Sequence, residues 1–219
     1  MTEAEWLECT GPQKMLEFLE DKASDRKRRL FACACCQRIE NILTDRGREA
    51  VVAAQRFADG SIDRNELHAA WAAVGFPKRD YRRLAASAAR AASCSPDYDG
   101  TAHAAASAIN AVMQKSSLYE MDVSRIVERE AQALLLRDIF GPLPFRSIPF
   151  NPAWLTWNDG TAQKIAQGIY DERAFDRIPI LADALEEAGC TNADILNHCR
   201  QSGEHVRGCW VVDLLLGTE

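Results

Sequence analysis

Five side chains able to bind a soft or borderline metal ion fall in one stretch near the end of the chain: Cys190, His198, Cys199, His205 and Cys209. Zinc takes four tetrahedral Cys or His ligands, commonly as two closely spaced pairs. His205 and Cys209 are four apart and can share one helix face, as the second pair of such a site does. His198 and Cys199 are adjacent, so on a helix they point about 100° apart and cannot both enter one site easily. Cys190 stands alone after Gly189, a residue placed to end a helix. Cys190, Cys199, His205 and Cys209 form the candidate metal set, with zinc as the ion such a set would take, although no cofactor is the expectation for the chain. The competing reading makes the three thiols small core residues and leaves both histidines near the surface.

Two other groupings carry possible chemistry. Cys33 and Cys36 make a CxxC, but inside LFACACC, a continuous helical pattern. Redox CxxC pairs gain a low thiol pKa at a helix N-terminus, and nothing before Leu30 reads as the strand that leads into one. Core packing is therefore the expectation. Arg26, Lys27, Arg28 and Arg29 form a basic cluster, and Lys78, Arg79, Arg82 and Arg83 form another. A basic helix face can track phosphates. A solvated face balancing acidic neighbours is the commoner use, and only Phe76 and Tyr81 lie close enough to stack bases. GxSxG, HExxH, Walker and GxGxxG patterns are absent from the sequence, and no catalytic residue is assigned.

Helices must position all of these groups. Gly11-Pro12 opens one, with Met15, Leu16, Phe18 and Leu19 following at helical spacing. Asp25 to Leu43 is expected as the next, and its uncharged centre Leu30–Cys36 predicts burial on every side. Asp45 is expected to cap a third. Asp63 and Glu66 have capping-box spacing before Leu67, Trp71 and Val74, and Gly75-Phe76-Pro77 ends that helix. Tyr81–Ala92 and Thr101–Lys115 are Ala-rich and read as a tight hairpin, split by Ser95–Gly100. Asp122–Phe140 has Ile126, Val127, Ala131, Leu134, Leu135 and Ile139 on the expected buried face and Glu128, Arg129, Glu130, Arg137 and Asp138 on the other. Gly141–Pro152 holds four prolines interleaved with Phe145, Ile148 and Phe150, which predicts an ordered strap rather than a free linker. Helices follow at Thr161–Tyr170, from Asp176 to Ala188, at Ala193–Cys199, and from about Val206 to Leu216.

The fold class is all-α, a multi-helix bundle of about eight to ten helices in one domain of 1–219. A sub-boundary at 141–152 would set off a C-terminal helical unit, 153–219. Lys and Arg number 26 against 32 Asp and Glu, a net charge of −6 that argues against general nucleic-acid binding. Met1–Glu8 is acidic and has no apolar h-region, and no run approaches the roughly 20 apolar residues of a membrane span. A cytoplasmic location is the expectation. There the eight cysteines read as buried thiols or metal ligands rather than disulfides.

The opening EWLECTGPQKMLEFL…ASDRKRRLFACACCQRI and the close TWNDGTAQKIAQGIYDERAFDRIPILADALEEAGC…ILNHCR…HVRGCWVVDLLLG resemble a large paralogous family of uncharacterised proteins from planctomycete-type bacteria. The resemblance covers both ends, about half the chain, and the Ala-rich middle is its most variable part. It implies a cytoplasmic bacterial origin and supplies no catalytic residues. The family's C-terminal motif also occurs appended to other modules, which favours an interaction or scaffold role with a protein partner. Three functions follow as expectations: a non-enzymatic protein–protein interaction module, a zinc-binding domain or metalloenzyme using the C-terminal cluster, and a nucleic-acid binder using the basic helix faces.

Overall fold

A computed structural model describes residues 1–75, 81–94, 100–115 and 121–218. Its regular structure among these residues is entirely helical, as the periodicity predicts. Two compact units divide the chain, Met1–Ala133 and Leu134–Glu219. The division falls inside a helix, ahead of the strap at 141–152.

In the first unit, α1 (Glu3–Glu8) starts with a Thr2–Glu5 capping box and buries Trp6. It is followed by α2 (Pro12–Leu19), which buries Met15 and Leu19. Ser24 caps α3 (Asp25–Gln37) by accepting the Lys27 amide, and Leu30–Cys36 is buried throughout. The helix stops at Gln37, earlier than its apolar pattern suggests; a short 3-10 turn over Glu40–Ile42 carries Ile39 and Ile42 into the core instead. Around α3 pack α4 (Asp45–Ala58), α6 (Tyr81–Ala92) and α7 (Thr101–Lys115), with α5 (Arg64–Ala73) against α4. Thr44, one residue before Asp45, is the cap of α4, and the Asp63–Glu66 capping box opens α5.

The Ala-rich helices α6 and α7 form the expected close pair, burying Ala85, Ala88, Ala89, Ala104, Ala108 and Ala111. Small side chains let the two backbones approach. Gly100 sets the limit of that approach: a Cβ there would lie 2.1 Å from the Ala91 carbonyl oxygen and 2.9 Å from Cys94 Sγ. The obstacle is backbone, which cannot rotate away. Gly100→Ala is therefore expected to destabilise the first unit by about 1–3 kcal/mol, read from the urea midpoint. An unchanged midpoint would mean the hairpin is looser than described.

The longest helix, α8 (Met121–Phe140), departs from its amphipathic reading. Leu135 and Ile139 are buried as expected, with Leu136 and Phe140. Ile126, Val127 and Leu134 are instead 54%, 55% and 58% exposed, and Glu128, Gln132 and Asp138 are buried. Dedicated partners explain the inversion. Arg38 Nε donates to both Glu128 oxygens at 3.2 and 3.1 Å, and Gln132 Nε2 donates to Glu128 and to the Ala105 carbonyl, each at 3.1 Å. Asp138 belongs to the site described below.

The second unit holds one core of Trp154, Ile169, Ile178, Leu181, Leu185, Ile195 and Trp210 with their neighbours. After Gly141 the strap buries Ile148 and sets Phe150 edge-on to Trp154, ring centroids 5.6 Å apart. Then come α9 (Ala153–Thr156), α10 (Thr161–Glu172), α11 (Ile178–Glu187), α12 (Ala193–Arg200) and α13 (Trp210–Leu216). Asn192 caps α12 through the amides of Asp194 and Ile195. The last helix starts at Trp210 rather than Val206; residues 201–209 are a loop, with Gly208 at φ 97°.

Candidate metal centre

Four buried groups of the second unit converge: Asp138, His198, His205 and Cys209, one ligand atom of each lying within 4.8 Å of all the others. Asp138 comes from the last turn and a half of α8, His198 from the last turn of α12, and His205 and Cys209 from the loop that leads into α13. His205 Nδ1 is 2.6 Å from Asp138 Oδ1, and His198 Nε2 is 3.2 Å from the same oxygen. His198 Nε2 also lies 3.3 Å from Cys209 Sγ, and Cys209 Sγ lies 4.0 Å from His205 Nδ1. Bonds of 2.0–2.3 Å at tetrahedral angles separate ligand atoms by roughly 3.3–3.8 Å. Small side-chain movements would bring these four groups to that spacing.

The side chains of Asp138, His198 and His205 are 2%, 9% and 5% exposed, and Cys209 is fully buried. Burial would push the Asp138 carboxyl up; hydrogen bonds and charge from His198 and His205 outweigh it and hold the group below its ordinary value. Burial and the nearby Asp138 carboxylate push the Cys209 thiol well above its usual range. Without a cation the sulfur therefore keeps its proton. Asp138 Oδ2 accepts the Val206 amide at 2.9 Å, and Gln201 Nε2 sits 3.1 Å from His198 Nδ1. His205 Nε2 is buried with no hydrogen-bond partner. It is Nδ1, not Nε2, that faces Asp138 and Cys209, so Nε2 stays without a partner whether or not an ion occupies the cluster.

Of the four ligands expected from sequence, the structure brings together His205 and Cys209. Their pairing does not come from a shared helix face, because they sit on a loop. Cys190 and Cys199 are buried but lie outside the converging set, and burial pushes the Cys199 thiol up to about 12. Both histidines expected near the surface by the core-packing reading are buried. The rotation of about 100° between neighbours does hold: His198 enters the site and Cys199 turns into the core.

Cys33, Cys35 and Cys36 are buried in α3, Cys33 Sγ donating to the Val51 carbonyl at 3.7 Å, in keeping with a packing role. In the first basic cluster each cation is buried or has a partner within the unit, Arg28 in an exposed pair on its own helix. Arg26 pairs with Asp59 at 3.3 Å, Lys27 is buried, Arg28 pairs with Asp25, and Arg29 donates to the carbonyls of Ala92 and Cys94 at 2.9 and 3.0 Å. Arg29 thereby caps the end of α6. Arg82 and Arg83 are exposed, while Lys78 and Arg79 lie outside the described residues. No helix among the described residues is long and apolar enough to cross a membrane. No family model, curated protein or solved structure matches the chain.

Proposed function

We propose that Leu134–Glu219 is a zinc-type metal-binding module with Asp138, His198, His205 and Cys209 as ligands, carried by a non-enzymatic helical protein that serves as an interaction or scaffold element. The observation behind this reading is the convergence of four buried ligand atoms from three separate segments. One thiolate, two imidazoles and a carboxylate suit zinc or cobalt; magnesium and calcium prefer all-oxygen sets. Four protein ligands fill a tetrahedral ion, so no position remains for a reactive water, and such closed sites are structural. That is why the module is read as a metal-stabilised body rather than a metalloenzyme.

The outer groups fit the same role. Ligating carboxylates are commonly held by a second hydrogen bond, as Val206 holds Asp138, and a ligating histidine is oriented through its other nitrogen. As placed, the Gln201 amide donates to His198 Nδ1, which leaves the ring proton on Nε2, facing Asp138 and Cys209. An end-for-end turn of the amide lets Oε1 accept from Nδ1 and frees the Nε2 lone pair for an ion.

Metal analysis tests this directly. The purified chain, stripped with chelator and reloaded, is expected to hold one zinc, and cobalt in its place should give a thiolate-to-metal absorption band. Asp138→Asn and His205→Ala should each abolish stoichiometric binding. Gln201→Ala should weaken affinity by about 10–100-fold, the usual effect of losing an orienting partner. Substoichiometric zinc with no cobalt–thiolate band would reduce the cluster to a buried hydrogen-bond network.

A further inference from the structure

We infer that the ion fastens the closing segment of the chain: loading it orders the loop 201–209 and seats α13, and losing it releases both. This rests on the metal reading above and goes further by assigning the ion a mechanical task. Two of the four ligands, His205 and Cys209, lie in the loop itself, while Asp138 and His198 sit on helices that the loop must meet. The loop has no helical hydrogen-bond ladder. Its bonds include Gln201 N–H to the Asn197 carbonyl at 2.9 Å, Cys209 N–H to the Val206 carbonyl at 2.9 Å, and Val206 N–H to Asp138 Oδ2 at 2.9 Å. The last of these goes to a ligand. Gln201, Ser202, Gly203 and Glu204 are exposed, so little apolar burial holds the first part of the loop down.

The far end of the loop is where the fastening matters. Trp210 follows Cys209 directly and is almost wholly buried. Its indole lies over Gly141, where a Cβ would come within 2.5 Å of Trp210 Cδ1. Asp138 and Gly141 both belong to the end of α8 and the turn after it, and Cys209 and Trp210 are consecutive. An ion bridging Asp138 to Cys209 therefore fixes the same two chain segments that the indole packs together. Any opening that lifts the loop must break the bonds to His205 and Cys209.

Hydrogen exchange on the full chain reads this out. An ion that binds only the closed form suppresses opening by a factor of one plus its concentration over its dissociation constant. With free zinc at about 100 times that constant, backbone amides of 201–216 should exchange roughly 100-fold more slowly than in the stripped chain. Alkylation of Cys209 should slow with them, while the amides of α4 serve as the unchanged reference. Asp138→Asn should lose the zinc-dependent slowing, and if that variant does not fold, the wild-type chain with and without zinc still decides. One zinc bound with unchanged exchange in 201–216 would overturn the fastening and leave the metal site standing. Failure to bind zinc at all would remove both.

Discussion

Arg38→Met is expected to destabilise the first unit by about 3–5 kcal/mol, measured by urea unfolding. Glu128 is buried, its side chain 5% exposed, and Arg38 Nε reaches both of its oxygens. Removing the cation takes a charged partner from a carboxylate inside the unit, which also accepts from the Gln132 amide. Breaking a buried pair costs more than replacing it whole, because the remaining charge loses its compensation without regaining water. The double variant Arg38→Met with Glu128→Gln should therefore recover most of the loss. If the single and double variants unfold at the same midpoint, the pair contributes nothing specific.

Trp210→Ala is expected to cost the second unit about 3–5 kcal/mol, the range for deleting a large buried aromatic. The indole is buried to within 1% and packs 5.2 Å from the His198 ring, centroid to centroid. Gly141 offers the complementary test from the other side of the contact. Its φ is +50°, and any Cβ would overlap the indole. Gly141→Ala combines that overlap with a left-handed backbone, for an expected loss of about 2–5 kcal/mol. Near-neutral results at both positions would mean that α13 does not seal the core as described.

The helical architecture was legible because helix boundaries are local. Asp63 accepts the amides its capping-box position implies, and the seven uncharged residues Leu30–Cys36 are buried as their lack of a polar face requires. The converging Asp138–His198–His205–Cys209 cluster was only half legible. Spacing brings His205 and Cys209 to notice, though as a helical pair rather than as the ends of a loop. Asp138 stood among charges on what reads as the solvent face of α8. Periodicity cannot distinguish a carboxylate facing water from one facing a histidine far along the chain. For His198 and Cys199, the 100° turn says that one neighbour enters and the other does not, and spacing alone does not choose between them. The inversion of α8 has the same origin: Glu128 and Gln132 are buried by partners on other helices, which no local pattern encodes.

The distance along the chain between the clustered groups has a consequence for synthesis. Asp138 and His205 are 67 positions apart, so their joining closes most of the second unit into a ring. The contact is lost on unfolding, so closing a loop of that length is an ordering cost that folding must meet, one that grows only with the logarithm of loop length. During translation the N-terminal part emerges first and domains fold as they complete. Until residues 205–210 have emerged, the nascent unit lacks His205, Cys209 and the buried Trp210. The four groups thus cannot converge before residue 209 is made, and a chain truncated just before it keeps Asp138 and His205 but lacks Cys209 and Trp210.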